Sequence, residues 1–176
     1  MAFTVEDGTG VDGANSYVTL AFADEYHEDR GQLTWVGLPT LDRQRFLVRA
    51  SDYIDKRFGR QFRGFRQNKD QGLEWPRLDA FDDDDYVLDV IPSQLQKATS
   101  EYALRALDND QLAPDNEDTG IDANFTKIGP IEIENTIKKS GGSSIIATNS
   151  LNDYPEADLW MSELLIPSNS RDLSRA

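Results

Sequence analysis

The chain contains no cysteine and a single histidine, His27, in 176 residues. The first absence excludes disulfide frameworks, thiolate nucleophiles and iron–sulfur clusters, and both together exclude Cys/His zinc sites. Only carboxylates are left to hold a metal. Any Ser-His-Asp mechanism would have to use His27. That residue stands near the end of an expected helix, where the dipole favours a cation without any catalytic role. No apolar run approaches the ~20 residues of a membrane span. The opening MAFTVEDGTG lacks the basic start and apolar core of a secretory leader. These features predict one soluble, unexported domain with no membrane partner. Basic residues are scarce as well, 18 against 32 acidic for a net charge of −14, which opposes general affinity for nucleic acid.

What basic charge there is stands in one place. Between Arg43 and Arg77 there are ten Lys or Arg residues against four Asp or Glu, a local balance of +6 that leaves −20 on the remainder. Such a dipolar chain suits self-association through unlike surfaces, the basic face of one copy meeting the acidic face of the next.

Periodicity divides the chain into short helices. Phe3 and Val5 alternate with polar residues and read as a short strand before a glycine-rich loop. Thr19 is placed to cap a helix from Leu20 to Arg30, with Leu20, Ala23 and Tyr26 or His27 on its buried stripe and Gly31 as its stop. Thr40 after Pro39 is placed to cap a stronger helix over 41–58. There Leu47, Ala50, Ile54 and Phe58 follow the spacing of a buried face. The stretch 60–89 reads mostly as loop, with Leu73 and Trp75 pinned to the core. Pro92 and Ser93 open a helix to about Leu107 through Leu95, Ala98, Tyr102 and Ala106. The segment 108–124 is acidic linker, 125–128 and 131–137 are a hairpin or extended arm, and Glu156 to Ile166 is a last apolar helix before a polar tail. The fold class expected is mainly α: a small helical bundle with a short N-terminal strand and a C-terminal β-hairpin or arm.

Four motifs invite functional readings. Gly8-Thr9-Gly10-Val11-Asp12-Gly13 matches the dinucleotide pattern G-x-G-x-x-G. It opens into no helix, however, and Glu6 and Asp7 would repel a pyrophosphate, so it reads as a turn and no cofactor is expected. Asp82 to Asp85 lacks the spaced oxygens of a calcium loop and reads as a solvated acidic loop rather than a metal site. His27 reads as structural. Arg57-Phe58-Gly59-Arg60-Gln61-Phe62-Arg63-Gly64-Phe65-Arg66 interleaves rings with guanidinium groups, the composition of a single-strand binding surface. The same spacing lets Phe58, Phe62 and Phe65 cover a core, with Arg57, Arg60, Arg63 and Arg66 facing solvent or a neighbouring subunit. That second reading is preferred on the whole-chain acidity.

The order of Val5-Glu6-Asp7-Gly8-Thr9-Gly10, Ala14-Asn15-Ser16-Tyr17-Val18, Arg49-Ala50-Ser51-Asp52-Tyr53-Ile54-Asp55, Leu73-Glu74-Trp75-Pro76-Arg77, Ile91-Pro92, Lys127-Ile128-Gly129-Pro130 and Tyr154-Pro155 resembles a family of tailed-phage proteins. Its members look like head-to-tail connectors (adaptors) and are also labelled DnaT-like single-stranded-DNA-binding proteins. The resemblance implies a helical bundle repeated in a dodecameric ring beneath the portal protein. The ring extends the DNA channel and meets tail, stopper or terminator proteins. It implies no catalytic residue, cofactor or metal, genomic DNA that passes without specific binding, and a place in the virion neck after assembly in the host cytoplasm. On this basis 1–112 is expected as the helical adaptor domain, 113–150 as acidic linker and arm, and 151–176 as C-terminal helix and portal-reaching tail. Arg57, Arg60, Arg63, Arg66 and the tail residues Arg171, Leu173 and Arg175 are the candidate subunit or portal contacts. The alternative is single-stranded-DNA binding through Arg57 to Arg66.

Overall fold

A computed structural model describes residues 2–107, 112, 125–128, 131–134 and 154–166. The chain divides into two compact units, Met1–Leu112 with Asp153–Ala176, and Ala113–Asn152. The protein is mainly helical. In the first unit the elements are α1 (Leu20–Asp29), α2 (Leu33–Val36), α3 (Thr40–Phe58), β1 (Phe65–Arg66), β2 (Arg77–Leu78), α4 (Ser93–Arg105) and α5 (Pro155–Ser162). In the second unit β3 (Phe125–Ile128) pairs antiparallel with β4 (Ile131–Glu134), Ile128 opposite Ile131. The tail beyond Ile166, with Arg171, Leu173 and Arg175, and the acidic linker lie outside the described residues.

Capping chemistry sets the helix starts. The Thr19 hydroxyl accepts from the Phe22 amide at 3.1 Å, as the Ser/Thr rule predicts. At α3 the expectation is corrected: Pro39, with extended backbone, is the cap residue, and Thr40 is the first helical residue. The Thr40 hydroxyl accepts from Arg43 instead. A single helical turn, α2, was not expected from periodicity; it places Trp35 in the core, where the indole N–H donates to Asp24 at 2.8 Å. The N-terminal strand is one parallel bridge, Val5 to Ser16.

The core lies between α3, α4 and α5. Leu47, Ile54, Leu95, Tyr102, Met161 and Leu164 are fully buried there, with Trp75 and Phe62 from the following loop. Polar pairs set the register of this packing. Asp158 on α5 accepts from the Tyr102 hydroxyl on α4, from Arg57 on α3 at 3.1 Å, and from the Tyr154 amide that opens its own helix at 3.0 Å. One carboxylate thereby joins all three helices. Across the bundle, Tyr26 of α1 donates to Glu101 of α4 at 2.8 Å and His27 Nε2 donates to the Ser100 carbonyl at 3.1 Å. The loop after α3 turns back at Gly64, where φ is +69° and a Cβ would lie 2.2 Å from the Leu78 carbonyl. Only glycine allows that approach.

Removing Asp158 leaves the Tyr102 hydroxyl and the Arg57 guanidinium short of an acceptor. Asp158→Ala is therefore expected to destabilise the fold by about 3 kcal/mol, read as a shifted urea midpoint. Arg105→Ala, which removes only an exposed 4.0 Å ion pair to Glu156, is expected to cost less than about 0.5 kcal/mol.

Candidate functional site

The arginine and phenylalanine segment that runs on from the end of α3 is folded partly inward. Phe58 and Phe62 are buried, Phe62 standing edge-on to Trp75 at 5.9 Å. Phe65 is 54% exposed, a correction to the core-covering role that its spacing suggested. It sits opposite Leu78, 43% exposed, in the two-residue β1–β2 pair. The guanidinium groups act as internal cross-links. Arg57 donates to the Tyr53 hydroxyl at 2.7 Å and to Asp158. Arg63 donates to the Leu165 and Phe81 carbonyls, each at 3.0 Å, and pairs with Asp83. Arg66 donates to the Gln71 carbonyl at 2.6 Å, and Arg77 to the Arg63 and Gly64 carbonyls at 2.8 and 2.9 Å. A loop without a ladder must find donors for its carbonyls elsewhere, and the rigid five-donor fork supplies them. Arg60 is exposed.

A second cluster gathers residues that lie far apart in the chain. The Tyr17 hydroxyl donates to Asp55 on α3, and both oxygens accept from the Glu74 amide at 3.1 Å. The Trp75 amide also reaches Tyr17, and the Tyr17 amide donates to the Ser51 hydroxyl at 3.2 Å. Burial pushes the Asp55 carboxyl up to about 7, against the lowering effect of its two hydrogen bonds, and pushes the Tyr17 phenol well above its ordinary range. The Asn-Ser-Tyr, Ser-Asp-Tyr-Ile-Asp and Leu-Glu-Trp-Pro-Arg motifs are thus one structural knot. A family model described as "Putative DnaT-like ssDNA binding protein" matches residues 1–171. The chain belongs to that family. No curated protein and no solved structure matches it.

In this family member the remaining motifs also prove structural. The glycine loop is an anion cradle filled by the chain itself: Glu6 accepts from the amides of Gly8, Gly10 and Val11, each at 2.9 Å. Those donors are therefore occupied by a buried carboxylate. His27 is buried against Trp35, with ring centroids 4.7 Å apart. Burial pushes its imidazole down to about 4, so it is neutral rather than the cation expected from its place at the end of α1; desolvation outweighs the helix dipole. Asp82 to Asp85 form the tip of a small hairpin and no metal cage. No group of three or more His, Asp or Glu residues suited to a metal occurs among the described residues.

Of the outward surfaces, one is basic and another combines apolar with acidic side chains. Along α3, Arg45, Arg49 and Lys56 are exposed at helical spacing, with exposed Asp52 among them and exposed Arg60 beyond. The first two border a groove of about 410 Å³ with Ala2, Phe3, Leu41 and Val48. Elsewhere, the hairpin over 80–88 presents Tyr86 and Val87 to solvent. Neither surface was singled out from the sequence. The spacing of 45, 49 and 56 was a usable signal for the first, while the Tyr86 and Val87 pair reads as core until the packing is known.

The Asp55 knot has a pH signature. A folded-state value raised from the usual carboxylate range to about 7 contributes stability that is complete below about pH 4 and lost as pH rises through 7. Asp55→Asn keeps an acceptor and cannot ionise. Its stability relative to the natural chain should therefore rise by roughly 2–4 kcal/mol between pH 4 and pH 8, read from urea melts at several pH values. His27 acts in the opposite sense between about 6.5 and 4, but it is common to both proteins and cancels in the difference.

Proposed function

We propose that this protein is a structural, non-catalytic head-to-tail connector of a tailed bacteriophage. In this reading it forms a ring, a dodecamer by the resemblance, under the portal protein in the virion neck. The ring extends the DNA channel and docks tail, stopper or terminator proteins. One observation carries the reading: the segment with the composition of a single-strand platform turns two of its three rings, Phe58 and Phe62, into the core. It engages Arg57 and Arg63 with the chain's own acceptors, leaving Arg60, Phe65 and Arg66 exposed. Stacking on bases needs exposed rings, and phosphate neutralisation needs available cations. A chain of net −14 that engages Arg57, Arg63 and Arg77 internally offers DNA a largely acidic wall, along which a duplex slides without being gripped.

The family's description favours a second reading, single-stranded-DNA binding. In that reading the contacts would come from the exposed residues of the Arg57 to Arg66 run, Arg60, Phe65 and Arg66, with exposed Lys56 beside them. The two readings differ in affinity. Fluorescence anisotropy with oligo(dT) at physiological salt should give a dissociation constant no tighter than the ~10⁻⁴ to 10⁻⁶ M of nonspecific binding. Co-sedimentation with purified portal should show a stable complex. Submicromolar DNA binding that falls at least about tenfold in folded K56E/R60E/F65A protein, without portal association, would replace the connector reading with the second.

A further inference from the structure

The hairpin over 80–88 is closed by its own hydrogen bonds, yet it turns its large apolar side chains outward. The Ala80 carbonyl accepts from the Leu88 amide and the Tyr86 carbonyl accepts from the Asp82 amide, both at 2.9 Å. The Asp82 carboxylate accepts from the amides of Asp84 and Tyr86 at 2.9 and 2.8 Å. Arg63 fastens the base through the Phe81 carbonyl and Asp83. On this frame Tyr86 is 71% and Val87 72% exposed, with Phe81 and Val90 also open and Asp84 and Asp85 beside them. A preorganised loop that exposes an aromatic and a valine together is a surface built for contact.

The chain also carries a complementary surface. The groove beside α3 has an apolar floor of Ala2, Phe3, Leu41 and Val48 and a rim that includes Arg45 and Arg49. Its volume of about 410 Å³ falls in the ~300–1,000 Å³ range of sites that enclose a small ligand, room for one aromatic and one branched side chain. Arg45 is held at one nitrogen by Asp42 and is otherwise exposed; Arg49 has no ion pair among the described residues. The groove lies along the first half of α3. The hairpin is fastened by Arg63, which follows the C-terminal end of that helix at Phe58. Because the two surfaces differ, a contact between them made between copies is head-to-tail and repeats.

The geometry points to a self-assembly contact in which the hairpin of one copy, led by Tyr86 and Val87, enters the α3 groove of the next, with Asp84 and Asp85 meeting Arg45 and Arg49. The occupant is a second copy of this chain because the groove is apolar and basic while the hairpin is apolar and acidic, both on one protein. The inference rests on the connector reading for its purpose and names the surfaces that would join neighbouring subunits.

The absence of cysteine allows a direct test in the full chain. V48C/V87C protein, oxidised under mild conditions, should give a ladder of covalent dimers, trimers and higher species, while V48C and V87C alone stay predominantly monomeric. Charge exchange supplies an independent arm. R49E and D84R should each weaken self-association, measured by sedimentation, at least about tenfold, and R49E/D84R should recover most of it. Circular dichroism confirms that each variant is folded. A monomeric natural chain at high concentration, no ladder, or no recovery on exchange overturns the contact. If the chain oligomerises without these signatures, the contact is wrong and the connector reading stands. If the ladder forms and submicromolar DNA binding is also found, the contact stands and the connector reading falls.

Discussion

The fold depends on the hydrogen bond between Tyr17 and Asp55. A carboxyl group at this depth is expensive unless its oxygens are satisfied, and the partners that satisfy it come from three separated segments: the N-terminal turn, α3, and the loop at Glu74 and Trp75. The contact dictates where the N-terminal segment crosses α3 and where the long loop returns. With that return made, Trp75 and Phe62 reach the core together, and the Arg77 side chain lies beside the backbone of Arg63 and Gly64. Asp158 plays a similar part for the helices, joining α3, α4 and α5 at one side chain. In a protein without disulfides, half-buried carboxylates with several donors each take over the task of fixing register.

The same economy accounts for the basic run. Arginine in a loop between helices is a source of backbone donors as much as a charge, and Arg63, Arg66 and Arg77 all donate to carbonyl oxygens. The positive charge of Arg63 and Arg77 is thereby held close to the chain, while Arg45, Arg49 and Lys56 along α3 are among the cations that stay exposed. The acidic excess faces outward, including the hairpin tip at Asp83 to Asp85. In the connector reading, unlike surfaces on one chain favour repeated association over broad attraction for a polyanion.

The local elements were legible because they rest on short-range rules. The buried stripe of α3 follows from the spacing of Leu47, Ala50, Ile54 and Phe58, and Thr19 and Gly31 mark the limits of α1. The β3–β4 hairpin was expected from alternation around Gly129-Pro130. Trp35 escaped because four residues of helix carry too little period to read. Phe65 was misplaced because its spacing from Phe62 describes a helix face, and the chain had already left the helix at Gly59.

Composition and periodicity by themselves determined that the chain builds small helices, lacks thiol chemistry and concentrates its basic residues in one stretch, because each of these is a property of neighbours in the chain. What those residues do was decided by tertiary structure. Which arginines face a carbonyl, whether a glycine loop cradles a foreign anion or Glu6, and whether His27 is charged all depend on groups brought close from distant positions. The strength of each interaction varies with burial and distance, and neither exists until the chain has folded.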